Sequence, residues 1–219
     1  MGYYEKVKSN EEVNIYLKKA DEALKALAYT DHGSAHCTLV AERAGYLLKI
    51  LGYTEKEIDL VKVAAYLHDI GNITNRDSHS QSGGLISFYL LNKIGLPPED
   101  IATVVTAIGN HDEDTGTPVN AVAAALIIAD KSDVRRSRVR KEDFSLADTH
   151  DRVNYSVIDT SLKVSEDKKV ITLSLTVDTK YGSVMDYFEI FLKRMLLSRK
   201  ASEALGAEFK LVINNQMLL

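Results

Sequence analysis

A single cysteine, Cys37, stands among 219 residues, so no disulfide can form within the chain. It falls in a helical apolar pattern, which reads as a buried thiol in a reducing compartment, and a cytoplasmic location is expected. No apolar run approaches the roughly 20 residues that span a bilayer. The opening residues MGYYEKVKSNEE are polar and lack the apolar core of a signal peptide. No segment repeats, and none is of low complexity. Neither sign of charge dominates: 27 Lys and Arg against 31 Asp and Glu give a net charge of -4, which argues against a general nucleic-acid binder. What is present is the composition of a soluble globular protein, 45% hydrophobic and 26% charged.

Residues 9–142 read almost wholly as helix. Ser9 and Glu12 have capping-box spacing ahead of Val13, Leu17, Ala20, Leu24 and Leu27, which recur at helical period. HGSAHCTLVAERAGYLLKILG repeats that period and ends at Gly52; Thr54 caps EKEIDLVKVAAYLHDI, which Gly71 closes. GLISFYLLNKIG follows, then LPPEDIATVVTAIGNH, which opens on proline where a helix tolerates one best. VNAVAAALIIADKSDVRRSR is the most apolar helix and is expected to cross the core. Past residue 150, Ile171, Leu173, Leu175 and Val177 alternate with Thr172, Ser174 and Thr176, the period of a strand. VNYSVIDTSLKVS is the expected partner strand, SVMDYFEIFLKRMLLSRKASEAL a helix and EFKLVIN a closing strand. The fold class is therefore α+β: an all-α helical bundle over 1–148, then a small C-terminal ββαβ module over 149–219.

Six histidines are present, and four fall where a bundle can gather them. His36 lies early in the second helix, His68 and Asp69 end the third, His79 lies in the loop opening the fourth and His111 ends the fifth. Asp130 sits in the apolar run AAALIIAD, the costliest place in the chain for an unpaired carboxylate. A divalent cation would compensate it. Taken singly, a histidine on an amphipathic helix is an ordinary boundary residue, and Asp130 an ion-pair partner for a following arginine. His32 and His150 are read that way. The joint pattern points to a metal site.

In this order and context, His36, the His68-Asp69 doublet and Asp130 resemble the HD superfamily of metal-dependent phosphohydrolases over roughly residues 30–140. His79 and His111 match the extra histidines of members that bind two metals. AIGNHDEDTGTP is similar to a segment of the HD-GYP cyclic-dinucleotide phosphodiesterases, with Gly116-Thr117-Pro118 in place of Gly-Tyr-Pro. A longer match is to the HD-type symmetrical diadenosine tetraphosphate hydrolases, through Ala107-Ile108, His111, Gly116, Ala129-Asp130 and Arg136. Both groups commonly carry Lys where this chain has Asn72, and Arg76 is the expected substitute.

The resemblance implies a phosphohydrolase in which a metal-bridged hydroxide attacks a nucleotide or other small phosphate ester or anhydride in line, a dinucleoside polyphosphate among the candidates. Imidazole with carboxylate suits a transition metal: two divalent ions, Fe or Mn before Zn, Ni or Mg. His36, His68, Asp69 and Asp130 would hold the first, and Asp69, as the catalytic bridge, would share the second with His79 and His111. The charge run ADKSDVRRSRVRK reads first as a solvated helix face; in the functional reading one or two of its cations hold phosphate oxygens, with Lys131, Arg135 and Arg136 the candidates beside Asn72 and Arg76. The alternative reading is a non-catalytic metal- or nucleotide-binding regulator, against which the complete ligand set argues. Nucleic acid and membrane are not expected partners. A homodimer through an exposed sheet edge of the module is a further expectation.

Overall fold

The first helix, α1 (Tyr3–Lys8), is started by a residue far away in sequence. In this computed structural model, which describes residues 2–140 and 149–218, Asp59 accepts from the amides of Tyr3 at 2.6 Å and Tyr4 at 3.1 Å. A carboxylate at a helix N-terminus satisfies amides that have no partner within the helix. The expected capping box at Ser9 is corrected. Ser9 ends α1 with its hydroxyl on the Glu5 carbonyl, and Asn10 caps α2 (Glu11–Ala26) by accepting from the Val13 amide. Lys141 and the domain boundary expected at 148 lie outside the described residues.

Helix α3 (Ser34–Leu51) ends as expected at Gly52, whose φ of 94° is open to glycine. The box of Thr54 and Glu57 starts α4 (Glu55–Leu67). Then come α5 (His79–Ile94), α6 (Pro98–Gly109) and α7 (Ala121–Lys131). Every residue of Val122–Ala129 is buried, so α7 is the axis around which the bundle packs. It stops earlier than its sequence period suggests. The Ser132 hydroxyl turns back onto the Ala129 carbonyl at 2.6 Å, and Arg136–Arg138 form a separate 3₁₀ turn.

The C-terminal segment adds α8 (Thr149–Ser156), β1 (Val157–Val164), β2 (Val170–Val177), α9 (Val184–Ala204), β3 (Glu208–Ile213) and β4 (Gln216–Met217). VNYS, expected as strand, is the end of α8. Val153 and Val157 are both buried, a four-residue spacing that suits a helix running into a strand. The sheet order is β1-β2-β3-β4, antiparallel at both ends and parallel between β2 and β3, which α9 connects. Tyr187, Phe191 and Met195 of α9 pack on the sheet, while Leu197, Ala201 and Leu205 at its end join the bundle core. None of the described helices is long and apolar enough to cross a membrane.

Candidate metal centre

The six expected ligands converge. His36 is on the first turn of α3, His68 caps the C-terminus of α4, and Asp69 stands at the start of the 3₁₀ turn Ile70–Ile73. His79 is the first residue of α5, His111 follows α6, and Asp130 is near the end of α7. Asp69 and the four histidines are buried, and the Asp130 side chain is 12% exposed.

Each histidine ring is fixed through Nδ1. That of His68 lies 2.8 Å from the Ala65 carbonyl, that of His79 3.0 Å from Arg76 and that of His111 2.6 Å from Ile108. His36 Nδ1 instead lies 2.7 Å from Oδ2 of the buried Asp133. Carbonyl and carboxylate oxygens only accept, so each Nδ1 carries a proton and each ring turns its Nε2 into the cluster, bare whenever the ring is neutral. These atoms face one another in pairs: His36 and His68 at 3.2 Å, His79 and His111 at 3.2 Å. Two lone pairs at that separation repel unless a proton or a metal ion lies near both.

Asp69 stands between the pairs. Its Oδ2 is 3.1 Å from His68 Nε2 and 3.5 Å from His36 Nε2, and its Oδ1 is 3.7 Å from His79 Nε2. Asp130 Oδ1 adds contacts of 3.4 Å to His36 and 3.6 Å to His68. Among the described residues, Asp69 Oδ2 is buried without a hydrogen-bond partner. Ligand atoms of His36, His68 and Asp130 all lie within 4.8 Å of one another, as do those of His68, Asp69 and His111.

The electrostatics ask for a cation. Burial disfavours the His68 imidazolium, but Asp69 and Asp130 outweigh it and push its pKa up to about 10. Burial would raise the Asp69 carboxyl, yet His68, with His32 and Arg76, holds it well below the usual carboxylate range. Asp130 is held down against burial by Lys131, His36 and His68. Burial keeps His79 and His111 neutral, the state in which imidazole ligates metal. An orphaned carboxylate oxygen, facing lone pairs and a donor set of imidazole and carboxylate fit divalent transition metal.

Asn72 finds its role here. Its amide donates to both the carbonyl and Oδ1 of Asp69 at 2.9 Å and accepts from Arg76 at 3.2 Å, so it orients Asp69. The expectation that Gly71 closes α4 is corrected: the helix ends at Leu67, before it. A Cβ at Gly71 would overlap the His79 carbonyl and the Gly83 amide, so the glycine lets the 3₁₀ turn lie against α5.

The expected basic residues separate. Lys131 is buried at the cluster, 2.7 Å from Asp130 and 2.8 Å from Glu113. Arg76 lines the site, 3.6 Å from Asp69. Arg135 instead donates to Asp133 at 2.7 Å. Arg136 is carried away to the Tyr155 carbonyl, its guanidinium 4.4 Å from the Tyr155 ring centroid. Arg135, four residues after Lys131, would share its face on a continued helix, but α7 stops at Lys131; Arg136, favoured by the family resemblance, falls in the 3₁₀ turn beyond it.

Glu113, Asp133 and Arg194 are not among the expected site residues, His32 is expected to be an ordinary boundary residue, and Arg138 is one cation of the basic run without a role of its own. His32 lines the cluster, its ring edge-on to His36. Arg138 is buried, donating to the carbonyls of Asp31 and Asp133. Arg194, on α9, donates to Glu113 at 3.0 Å. Asp133 lies about one helical turn past Asp130 and Arg138 within the basic run, so both have a local signal, whereas Glu113 and Arg194 have none.

A family model described as HD domain matches residues 33–153, more than half of the chain. Uncharacterized protein MJ1020 of Methanocaldococcus jannaschii is 30% identical over 159 residues, which cover 63% of this chain and 61% of that protein. The chain thus spans under two thirds of the length of that relative. A crystal structure titled as a predicted HD superfamily hydrolase from an uncultured Thermotogales bacterium is 24% identical, with a TM-score of 0.44 over 62% of this chain and 75% of that one.

Proposed function

The chain belongs to the HD domain family, and from that premise we propose that it is a metal-dependent phosphohydrolase acting on a small phosphorylated compound. The observation that carries this is the cluster's paired form: two imidazole pairs, each with Nε2 atoms 3.2 Å apart, on either side of one buried carboxylate. His36, His68, Asp69 and Asp130 would hold one ion, and Asp69, His79 and His111 a second, with Fe or Mn the ions such donors suit. When bound, the ions acidify a water towards a pKa of about 7 and offset the charge of a phosphoryl group.

The chain's own residues do the rest. Asn72 fixes the carboxylate of Asp69, and Asp133 fixes the ring of His36. Lys131 ties Asp130 to Glu113 and brings positive charge to the cluster. Arg76, Arg138 and Arg194 line the same space and supply planar donors suited to phosphate oxygens.

The test is a substrate screen on protein loaded with Mn or Fe under reducing conditions. Nucleotides, dinucleoside polyphosphates, cyclic dinucleotides and generic phosphate mono- and diesters would be offered. Release of phosphate or nucleotide from at least one class, abolished in Asp69→Ala, is expected. Full metal loading with no turnover of any class would favour the regulator instead.

A further inference from the structure

Beside the metal cluster lies a recess of ≈ 190 Å³. His32, Arg76, Arg138 and Arg194 line both it and the cluster, so the two are adjacent, with these side chains between them. The outer wall comes from the C-terminal segment, through Asp151 and Asn154 of α8 and Arg194 of α9.

The lining is polar in a specific sense. Arg194 uses Nε on Glu113, and its two terminal nitrogens have no hydrogen-bond acceptor among the described residues. Arg138 uses Nε and Nη1 on backbone carbonyls, which leaves Nη2. Acceptors line the same recess. Asn154 donates through Nδ2 to the His150 carbonyl at 2.9 Å, which leaves Oδ1. His32 has Nδ1 on the Thr30 carbonyl at 2.7 Å, which leaves Nε2. The buried carboxylate of Asp151 lies one turn before Asn154. Planar cations and an imidazole shared with the cluster, with carboxylate and amide acceptors on the outer wall, complement an anion that bears hydroxyl groups.

Size narrows the class further. At about 30 Å³ per water in the liquid, the recess has room for roughly six waters, about the bulk of a pentose. Two nucleosides of a dinucleoside polyphosphate would not both be enclosed.

Building on the hydrolase reading, we propose that the recess holds the alcohol portion of a phosphorylated sugar, free or as the sugar of a nucleoside monophosphate. Arg138 and Arg194 hold its phosphate oxygens, and Asp151 and Asn154 receive its hydroxyls. The C-terminal segment is thus part of the substrate site, and α8 sets its specificity.

Equilibrium binding to the metal-loaded full chain tests this with inorganic phosphate, ribose 5-phosphate and a nucleoside 5′-monophosphate as probes, independently of turnover. Ribose 5-phosphate is expected to bind about tenfold or more tightly than phosphate, the worth of one or two net hydrogen bonds. Asn154→Ala, and Asp151→Asn as a second variant, remove that advantage while phosphate affinity and metal content stay unchanged. Arg194→Gln weakens all three probes by about tenfold or more. A nucleotide bound no better than the sugar phosphate places the base outside the recess; one bound better places it against the rim. Equal affinity for phosphate and ribose 5-phosphate in the wild-type chain, or no binding of either, overturns the proposal. Sugar-selective binding without hydrolysis keeps it and removes the hydrolase reading.

Discussion

Asp133 Oδ2 lies 2.7 Å from Nδ1 of His36, and both side chains are fully buried. The carboxylate fixes the ring's tautomer and makes Nε2 a stronger donor to a metal. Carboxylates in this position typically contribute a factor of about 10–100 in metal affinity. Asp133→Asn should lower the affinity by that factor, measured by competition with a chelator of known strength. Unchanged affinity would show that the ring needs no such support.

Removing the ions should loosen the fold. A metal that binds only the folded state stabilises it, by about 2.7 kcal/mol at a hundred times its dissociation constant. Chelation is expected to lower the melting temperature and Mn or Fe to restore it. Asp69→Ala should bind little metal and melt at the same temperature with or without chelator. If that variant retained its full metal content, the assigned cluster would be wrong.

Gly71→Ala should be costly out of proportion to one methyl group. The added carbon meets backbone of α5, which cannot rotate aside as a side chain would. A loss above about 2 kcal/mol in denaturant unfolding is expected, as for overpacked cores. Because the collision is at His79, metal content should fall with stability. Ala tolerated with full metal content would mean that α5 can shift away.

Stability at alkaline pH depends on buried phenols. Burial, with Glu42 nearby, pushes the Tyr4 hydroxyl above its ordinary value of 10.0, and burial does the same for Tyr187. Above pH 10 the unfolded chain loses these protons while the folded chain keeps them, so stability is fully present below that pH and falls as it rises. The Tyr4 hydroxyl also has no hydrogen-bond partner among the described residues. Tyr4→Phe should therefore leave neutral-pH stability unchanged or raise it by up to about 1 kcal/mol. Its unfolding free energy should also decline less steeply above pH 10. A steeper decline would contradict the assignment.

The sequence exposed the ligands better than their surroundings, for a physical reason. His36, His68, Asp69, His79, His111 and Asp130 are polar residues set against apolar helical periodicity, so each stands out locally. Arg194 and Glu113 meet across 81 positions and carry no such mark. Arg135 leaves the face of Lys131 because α7 ends there, and Arg136, suggested by the family resemblance, lies in the separate 3₁₀ turn. The start of α1 was invisible for a similar reason: its cap, Asp59, belongs to another helix. The ββαβ order was readable from period alone, whereas the helical turn at VNYS was hidden by β-favouring residues.

Helix α9 divides its buried residues between the sheet and the bundle, and between those contacts it carries Arg194. A chain that altered its ligand preference through this helix would therefore alter its folding stability as well. Asn154 sits on the short α8 instead, with its side chain committed only to its own helix. Divergence among relatives should follow that asymmetry, with new ligand preferences arising more readily on the short helix than on the long one.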